Sequence, residues 1–274
     1  MRSFTGRSID IIAACALVIL TSASASAQDV PSSRAFPGSF WISSGAVGPA
    51  EPENVLTQVG VEQGIAVWER DAWFLVPFAS LRLSADSQGY VWNNKHPSML
   101  GVKLVRRVPG GVIQGGGGVM FERVDGSTDS RHPTAFVNYW AGWTADRGAH
   151  LGGGLAGFPG HVDASSGLLS GADPENWLTA LSAQQGIALN RSKIASIVPY
   201  AGGVLAFDSK RRPWENRATY DLGVKAVRPL VGGVVEAGIA HRRQHQLLLD
   251  RVDSGPIAFV NLWFGWNPRT VSSR

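Results

Sequence analysis

Ala258-Phe259-Val260-Asn261-Leu262-Trp263-Phe264-Gly265-Trp266 decides the fold. Read with a period of two, Ala258, Val260, Leu262, Phe264 and Trp266 share one face, and Asn261, Trp263 and Gly265 share the other. Successive side chains of a strand point to opposite sides, so this strand is wholly apolar on one side. Its other side mixes polar, aromatic and small residues. The same pattern occurs earlier, where Ala135, Val137, Tyr139, Ala141 and Trp143 lie opposite Asn138, Trp140 and Gly142.

That likeness belongs to a longer one. The stretch from Phe36 to Trp143 recurs about 122 residues later, from Phe158 to Trp266. Phe36-Pro37-Gly38 matches Phe158-Pro159-Gly160, Pro52-Glu53-Asn54 matches Pro174-Glu175-Asn176, and Gln63-Gly64-Ile65-Ala66 matches Gln185-Gly186-Ile187-Ala188. A unit of this length is half of a β structure rather than a short solenoid repeat. Each motif can therefore be read against a second copy.

The preceding strands alternate in the same way. Val235, Ala237 and Ile239 oppose Glu236, Gly238 and Ala240, and Leu222, Val224 and Ala226 oppose Asp221, Gly223 and Lys225. In the first copy, Ile113, Gly115, Gly117 and Val119 oppose Gln114, Gly116 and Gly118. A soluble sandwich would bury the apolar face, whereas a membrane barrel turns it to lipid and fills its lumen with the polar face. Segments of about ten residues suit a tilted membrane strand. The 33 glycines fit a narrow lumen, and several of the ten tryptophans stand at strand ends, as in an interfacial girdle. The expected fold is all-β, an antiparallel up-and-down transmembrane β-barrel of about 10–12 strands built from two tandem repeats. Closure removes the exposed edges of an open sheet. Pro77 and Pro199 predict a bulge or strand start, and Asp173-Pro174 resembles a helix start that we read as a turn before a strand.

The N-terminus reads as a secretory signal over residues 1–27. Arg2 and Arg7 precede the apolar run Ile11–Leu20, and Ala25-Ser26-Ala27 is a small-residue cleavage site. A single barrel domain is expected over 28–270, with repeats at 36–143 and 158–266 and a tail at 271–274. The only cysteine, Cys15, falls inside the signal, so the mature chain has no disulfide or thiolate metal site. The basic balance, pI ≈ 9.5, favours lipid phosphates or acidic polysaccharide as surroundings. No basic run or nucleic-acid motif points to DNA or RNA.

Lys103, Lys225, Gln114, Glu236, Asp221 and Glu122 are the candidate lumen polar groups, expected to form inter-strand pairs that plug a small barrel or line a passage. Arg106, Arg107, Arg228, Arg242 and Arg243 are candidates for contact with lipid phosphate. Asp86-Ser87 with Trp92-x-Asn94 recurs as Asp208-Ser209 with Trp214-x-Asn216. These residues either cap turns or contact glycan, and turn capping is the commoner use. Gly115–Gly118 is followed by no Lys-Ser or Lys-Thr, so it is no phosphate loop. The formal dinucleotide pattern at Gly152–Gly157 lacks a following helix. His241 and His245 are an isolated pair, short of a metal site. His96-Pro97-Ser98 places a histidine and a serine two apart, a spacing that lipid acyl hydrolases use, but the second copy has Ala218 and Tyr220 there.

The strand texture, the Asp-Ser…Trp-x-Asn loops and the closing Phe259–Trp266 segment resemble Gram-negative outer-membrane β-barrel proteins. They are loosely similar to the barrel modules of cellulose and other exopolysaccharide exporters and to a phage-adsorption receptor. The resemblance implies an outer-membrane location, lipid and the barrel-assembly machinery as partners, and a link to surface polysaccharide. The expected function is non-enzymatic, structural or narrow transport, with no cofactor and no metal. The alternatives are a soluble periplasmic β-protein that binds glycan, and an outer-membrane acyl hydrolase using His96 and Ser98.

Overall fold

Alternation written this regularly into a chain produces long, evenly paired strands. The computed structural model describes residues 36–90, 93–124, 129–143, 157–168, 175–190 and 194–266. The expected signal segment with Cys15, the Gly152–Gly154 run, Asp173-Pro174, Trp92 and the tail lie outside the described residues. The strands are β1 (Gly38–Gly48), β2 (Glu51–Gly64), β3 (Trp68–Arg70), β4 (Trp73–Asp86), β5 (Lys95–Val108), β6 (Gly111–Val124) and β7 (Ser130–Trp143), then β8 (Gly160–Leu168), β9 (Trp177–Gly186), β10 (Ser196–Asp208), β11 (Arg217–Leu230), β12 (Gly233–Gln246) and β13 (Arg251–Trp266). Each pairs antiparallel with its neighbours, β1 closes on β13, and β2 pairs with β4. The short β3 prolongs β2 along β4, so the ring is a closed barrel of 12 strands. Among the described residues only the short β3 keeps an unpaired edge, and each of the 12 ring strands pairs on both sides.

The bounds of β5 and β11, and of β6 and β12, lie 122 residues apart. A two-residue turn joins β5 to β6 and another joins β11 to β12, and Gly110 and Gly232 supply their left-handed residues with φ of 75° and 76°. These turns share one end of the barrel, the base, with the start of β1 and the end of β13. The opposite end, the rim, carries the 87–94 and 209–216 loops.

Pro77 and Pro199 lie inside β4 and β10, which run unbroken. The irregularity falls on the strand opposite each. Ile65 and Ile187 donate to the Pro77 and Pro199 carbonyls, and β2 gains one residue on β4 between Gly64 and Trp68. A proline offers no N–H toward that neighbour, so the partner ladder is free to bulge there.

One face of every strand looks out. Leu222, Ile239 and Leu100, at 71%, 67% and 59% exposure, all lie on it. Trp68, Trp73, Trp143 and Trp266 point outward at the base. The indoles of Trp143 and Trp266 reach over the adjoining β8 and β1 to donate to Gln185 on β9 (3.1 Å) and Gln63 on β2 (3.0 Å). The other face looks in, and it holds the buried side chains Val76, Val198, Phe78, Tyr200 and Glu122.

Candidate functional site: the lumen

Two buried lysines organise the interior. Lys103 on β5 reaches across β4 to Glu62 and sideways to Gln114 on β6 (2.9 Å). Lys225 on β11 reaches across β10 to Gln184 and sideways to Glu236 on β12 (2.7 Å). Each ammonium also stands over the ring it crosses, Phe78 at 5.1 Å and Tyr200 at 5.4 Å. The acid and the amide have exchanged places between the halves. Glu62 corresponds to Gln184 and Gln114 to Glu236, so each lysine keeps one carboxylate and one amide. An unpaired buried charge is costly, which makes the one-to-one balance the quantity both halves share. Gly116 and Gly238 make room for this, since a Cβ at either would stand 2.8 Å from the Cβ of Lys103 or Lys225.

Around these clusters the halves differ. In the second, Arg242 donates twice to Asp221, at 2.8 and 2.7 Å, across β12 and β11. At the corresponding cross-strand pair of the first half stand Met99 and Met120. Tyr200 meets Phe259 edge-to-face at 6.1 Å where Phe78 meets Phe136 at 6.0 Å. The first half therefore packs an apolar cluster of Phe74, Val76, Phe78, Met99 and Phe136. The second half, together with β1 and β2, borders a polar cavity of about 360 Å³. A second space of about 570 Å³ opens toward the base, lined by Phe74, Trp140, Trp263, Lys103 and Arg107. Both spaces border His161, Glu236 and Asn261.

All six expected lumen groups face inward. Glu122 is 1% exposed, and among the described residues neither of its carboxylate oxygens has a hydrogen-bond partner. Its compensating charge is Arg82, which attracts it from the inner face two strands away. Sequence reading missed Glu62, Gln184, Arg82, Arg242 and His161 as interior groups. Aligning Glu62 with Gln184 by the 122-residue offset would have exposed the exchange.

The arginines divide by the parity of their strand positions. Arg106 and Arg228 face outward at the base, with Arg106 over Trp73 at 5.1 Å. Arg243 faces outward near the rim, beside Tyr220 and Ser254. Arg107 and Arg242 turn inward instead, Arg107 over Phe74 at 4.6 Å and Arg242 onto Asp221. Adjacent residues of a strand cannot share a face, so neither Arg106–Arg107 nor Arg242–Arg243 can reach lipid as a pair.

The rim loops fold around their own polar side chains. Asp86 accepts from Asn93 (2.7 Å), from the Tyr90 backbone N–H (2.8 Å) and from Asn54 (3.3 Å), while its own N–H donates to Asn94 (2.9 Å). Asp208 accepts from Asn176 (2.6 Å), Asn216 and the Arg212 N–H (2.8 Å). Asn54 and Asn176 are fully buried, and Asn94, Asn216, Asp86 and Asp208 are buried as well. These buried side chains satisfy turn backbone and one another. Trp214 is exposed, with the Arg212 guanidinium 5.7 Å from its ring. Replacing Asn176 by Ala is expected to cost about 2 kcal/mol, by leaving Asp208 short of a buried donor. Asn54→Ala, whose bond is longer, is expected to cost less. Urea midpoints of the folded band would rank them.

His96 and Ser98 share the outer face of β5 near the rim. Across the ladder they meet Arg123 and Phe121, and Ser98 donates to the Phe121 carbonyl at 3.5 Å. The residue directly across the ladder from His96 is thus a cation, Arg123.

No family model matches the chain, and no curated protein sequence matches it. Among solved structures it is similar to the β domain of the Bordetella autotransporter BrkA, at 13% identity over 84% of this chain and 98% of that one, TM-score 0.38. It is also similar to an outer-membrane channel from Pseudomonas putida F1, at 10% identity over 87% and 97%, TM-score 0.40. A loop-deletion form of OmpT, an outer-membrane protein of Vibrio cholerae, aligns at 6% identity over 85% and 99%, TM-score 0.36.

Proposed function

We propose that this protein is a non-catalytic outer-membrane barrel whose lumen is a narrow route for small solutes. The observation that carries the reading is the inversion of polarity around a closed ring. Large apolar side chains such as Leu222, Ile239 and Leu100 face outward, while Lys103, Lys225, Glu236, Asp221 and Arg242 face inward. A soluble barrel has the opposite arrangement, because water rewards an exposed polar face. Most strands run 13 or 14 residues, more than the about 10 that cross a bilayer at a tilt. The four outward tryptophans at the base mark one interface.

Three ion pairs stand in place in the interior, Lys103 with Glu62, Lys225 with Glu236 and Arg242 with Asp221. These pairs cancel much of their own field, so they act on a passing solute mainly by narrowing the route. The test is fractionation of expressing cells, followed by gels of heated and unheated membrane extract. The barrel reading expects the chain in the outer-membrane fraction with migration that shifts on heating. Recovery as a soluble periplasmic protein overturns it.

A further inference from the structure

The second-half wall of the polar cavity, whose other wall is β1 and β2, has a built-in control in the first half. We infer that this cavity is a binding site for a small uncharged saccharide, an inference that rests on the barrel reading above. Where the first half fills its interior with Phe78, Met99 and Met120, the second places Tyr200, Asp221 and Arg242. The apolar set shows that the strands close and pack without polar groups at these positions. Barrel packing therefore does not require an ion pair and a phenol here, and their presence needs another reason.

The lining chemistry names the ligand. Both Arg242 donors that face Asp221 are committed to it, and the Lys225 ammonium is committed to Glu236 and Gln184. Among the described residues that line the space, the cation Arg242 and the carboxylates Asp221 and Glu236 are each committed to an ion pair. What remains toward the space is neutral or neutralised hydrogen-bonding surface, including the Asn261 amide, the His161 ring and the Tyr200 hydroxyl. Tyr200 and Phe259, perpendicular at 85°, add two ring surfaces at the wall. Alternating donors and acceptors beside aromatic rings suit a ligand that is hydroxylated on its edges and carbon-bound on its faces. A volume of about 360 Å³ lies at the small end of ligand pockets, the scale of a mono- or disaccharide.

The experiment uses the full chain, folded in a detergent without a sugar headgroup, with maltose as the probe and glucuronate and inorganic phosphate as charged counterparts. Binding is read by titration calorimetry. The wild type is expected to bind maltose saturably and to prefer it to both anions. The double variant D221M/R242M, which installs the pair already present at Met99 and Met120, is expected to keep its heat-shifted migration and to bind at least tenfold more weakly. Tyr200→Phe, matching Phe78, is the milder second variant and is expected to weaken binding severalfold. The saccharide site is overturned if heat-shifting wild type shows no saturable maltose binding, if it prefers an anion, or if both variants bind as wild type does. A wild-type chain that shows no heat shift at all sinks the barrel, and the site with it.

Discussion

Glu62→Gln is expected to destabilise the folded barrel by about 3 kcal/mol, and adding Gln114→Glu is expected to restore most of that loss. The single change leaves the Lys103 ammonium, only 8% exposed, between two amides with no carboxylate to offset its burial. Glu62 itself is 30% exposed, which holds the cost at the lower end for a broken buried pair. The double change recreates around Lys103 the arrangement that Lys225 already has, an amide across the neighbouring strand and an acid beside it. The coupling is measured as a double-mutant cycle of urea midpoints. Losses that simply add would show that Lys103 is not held by a charge balance. The mirror experiment, Glu236→Gln with Gln184→Glu, is expected to behave alike.

The second large effect lies on the outer face. Ile239→Arg and Leu222→Arg are each expected to cost about 2–4 kcal/mol of insertion stability, the penalty for a cation on the lipid side near the membrane centre. Both side chains stand clear of the protein, so a soluble molecule would accept either arginine at almost no cost. Val204→Arg is the control. Val204 faces inward at the position where the first half carries Arg82, and its replacement is expected to cost under about 1 kcal/mol. Refolding into vesicles across a denaturant series ranks the three. Equal tolerance on both faces would place water, not lipid, against Leu222 and Ile239.

How far the chain could be read follows from which interactions have a period. The faces of β6, β7, β11, β12 and β13 were legible because Ala258, Val260 and Leu262 alternate with Asn261 and Trp263, and a strand admits only two sides. The strand number and closure needed the pairing of β1 with β13, a contact between residues more than 200 apart that no local pattern encodes. The six expected lumen groups were visible as polar residues on the right side of a strand. Their partners were not, because Lys103 reaches over β4 to Glu62, and the reach of a lysine across a neighbouring strand leaves no mark in spacing. Arg107 and Arg242 were misplaced for the opposite reason. Charge drew them outward, although strict alternation with Arg106 and Arg243 already required them to turn in. The rim loops were legible in kind, since Asp86 and Asp208 cap turns, but the burial of Asn54 and Asn176 beneath them appears only once β2 and β4, and β9 and β10, are paired.

The most direct test of the account is a cysteine scan of β12 from Val235 to Ala240 in a Cys15→Ala chain, which carries no other thiol. Each position is spin-labelled in vesicles and exposed to oxygen, which concentrates in lipid, and to a water-soluble nickel chelate. The account predicts a period of two, with labels at 235, 237 and 239 relaxed by oxygen and those at 236, 238 and 240 shielded from it. Labels at 235, 237 and 239 that respond to the nickel chelate instead, or a profile without alternation, would contradict a barrel standing in the membrane with this face to lipid.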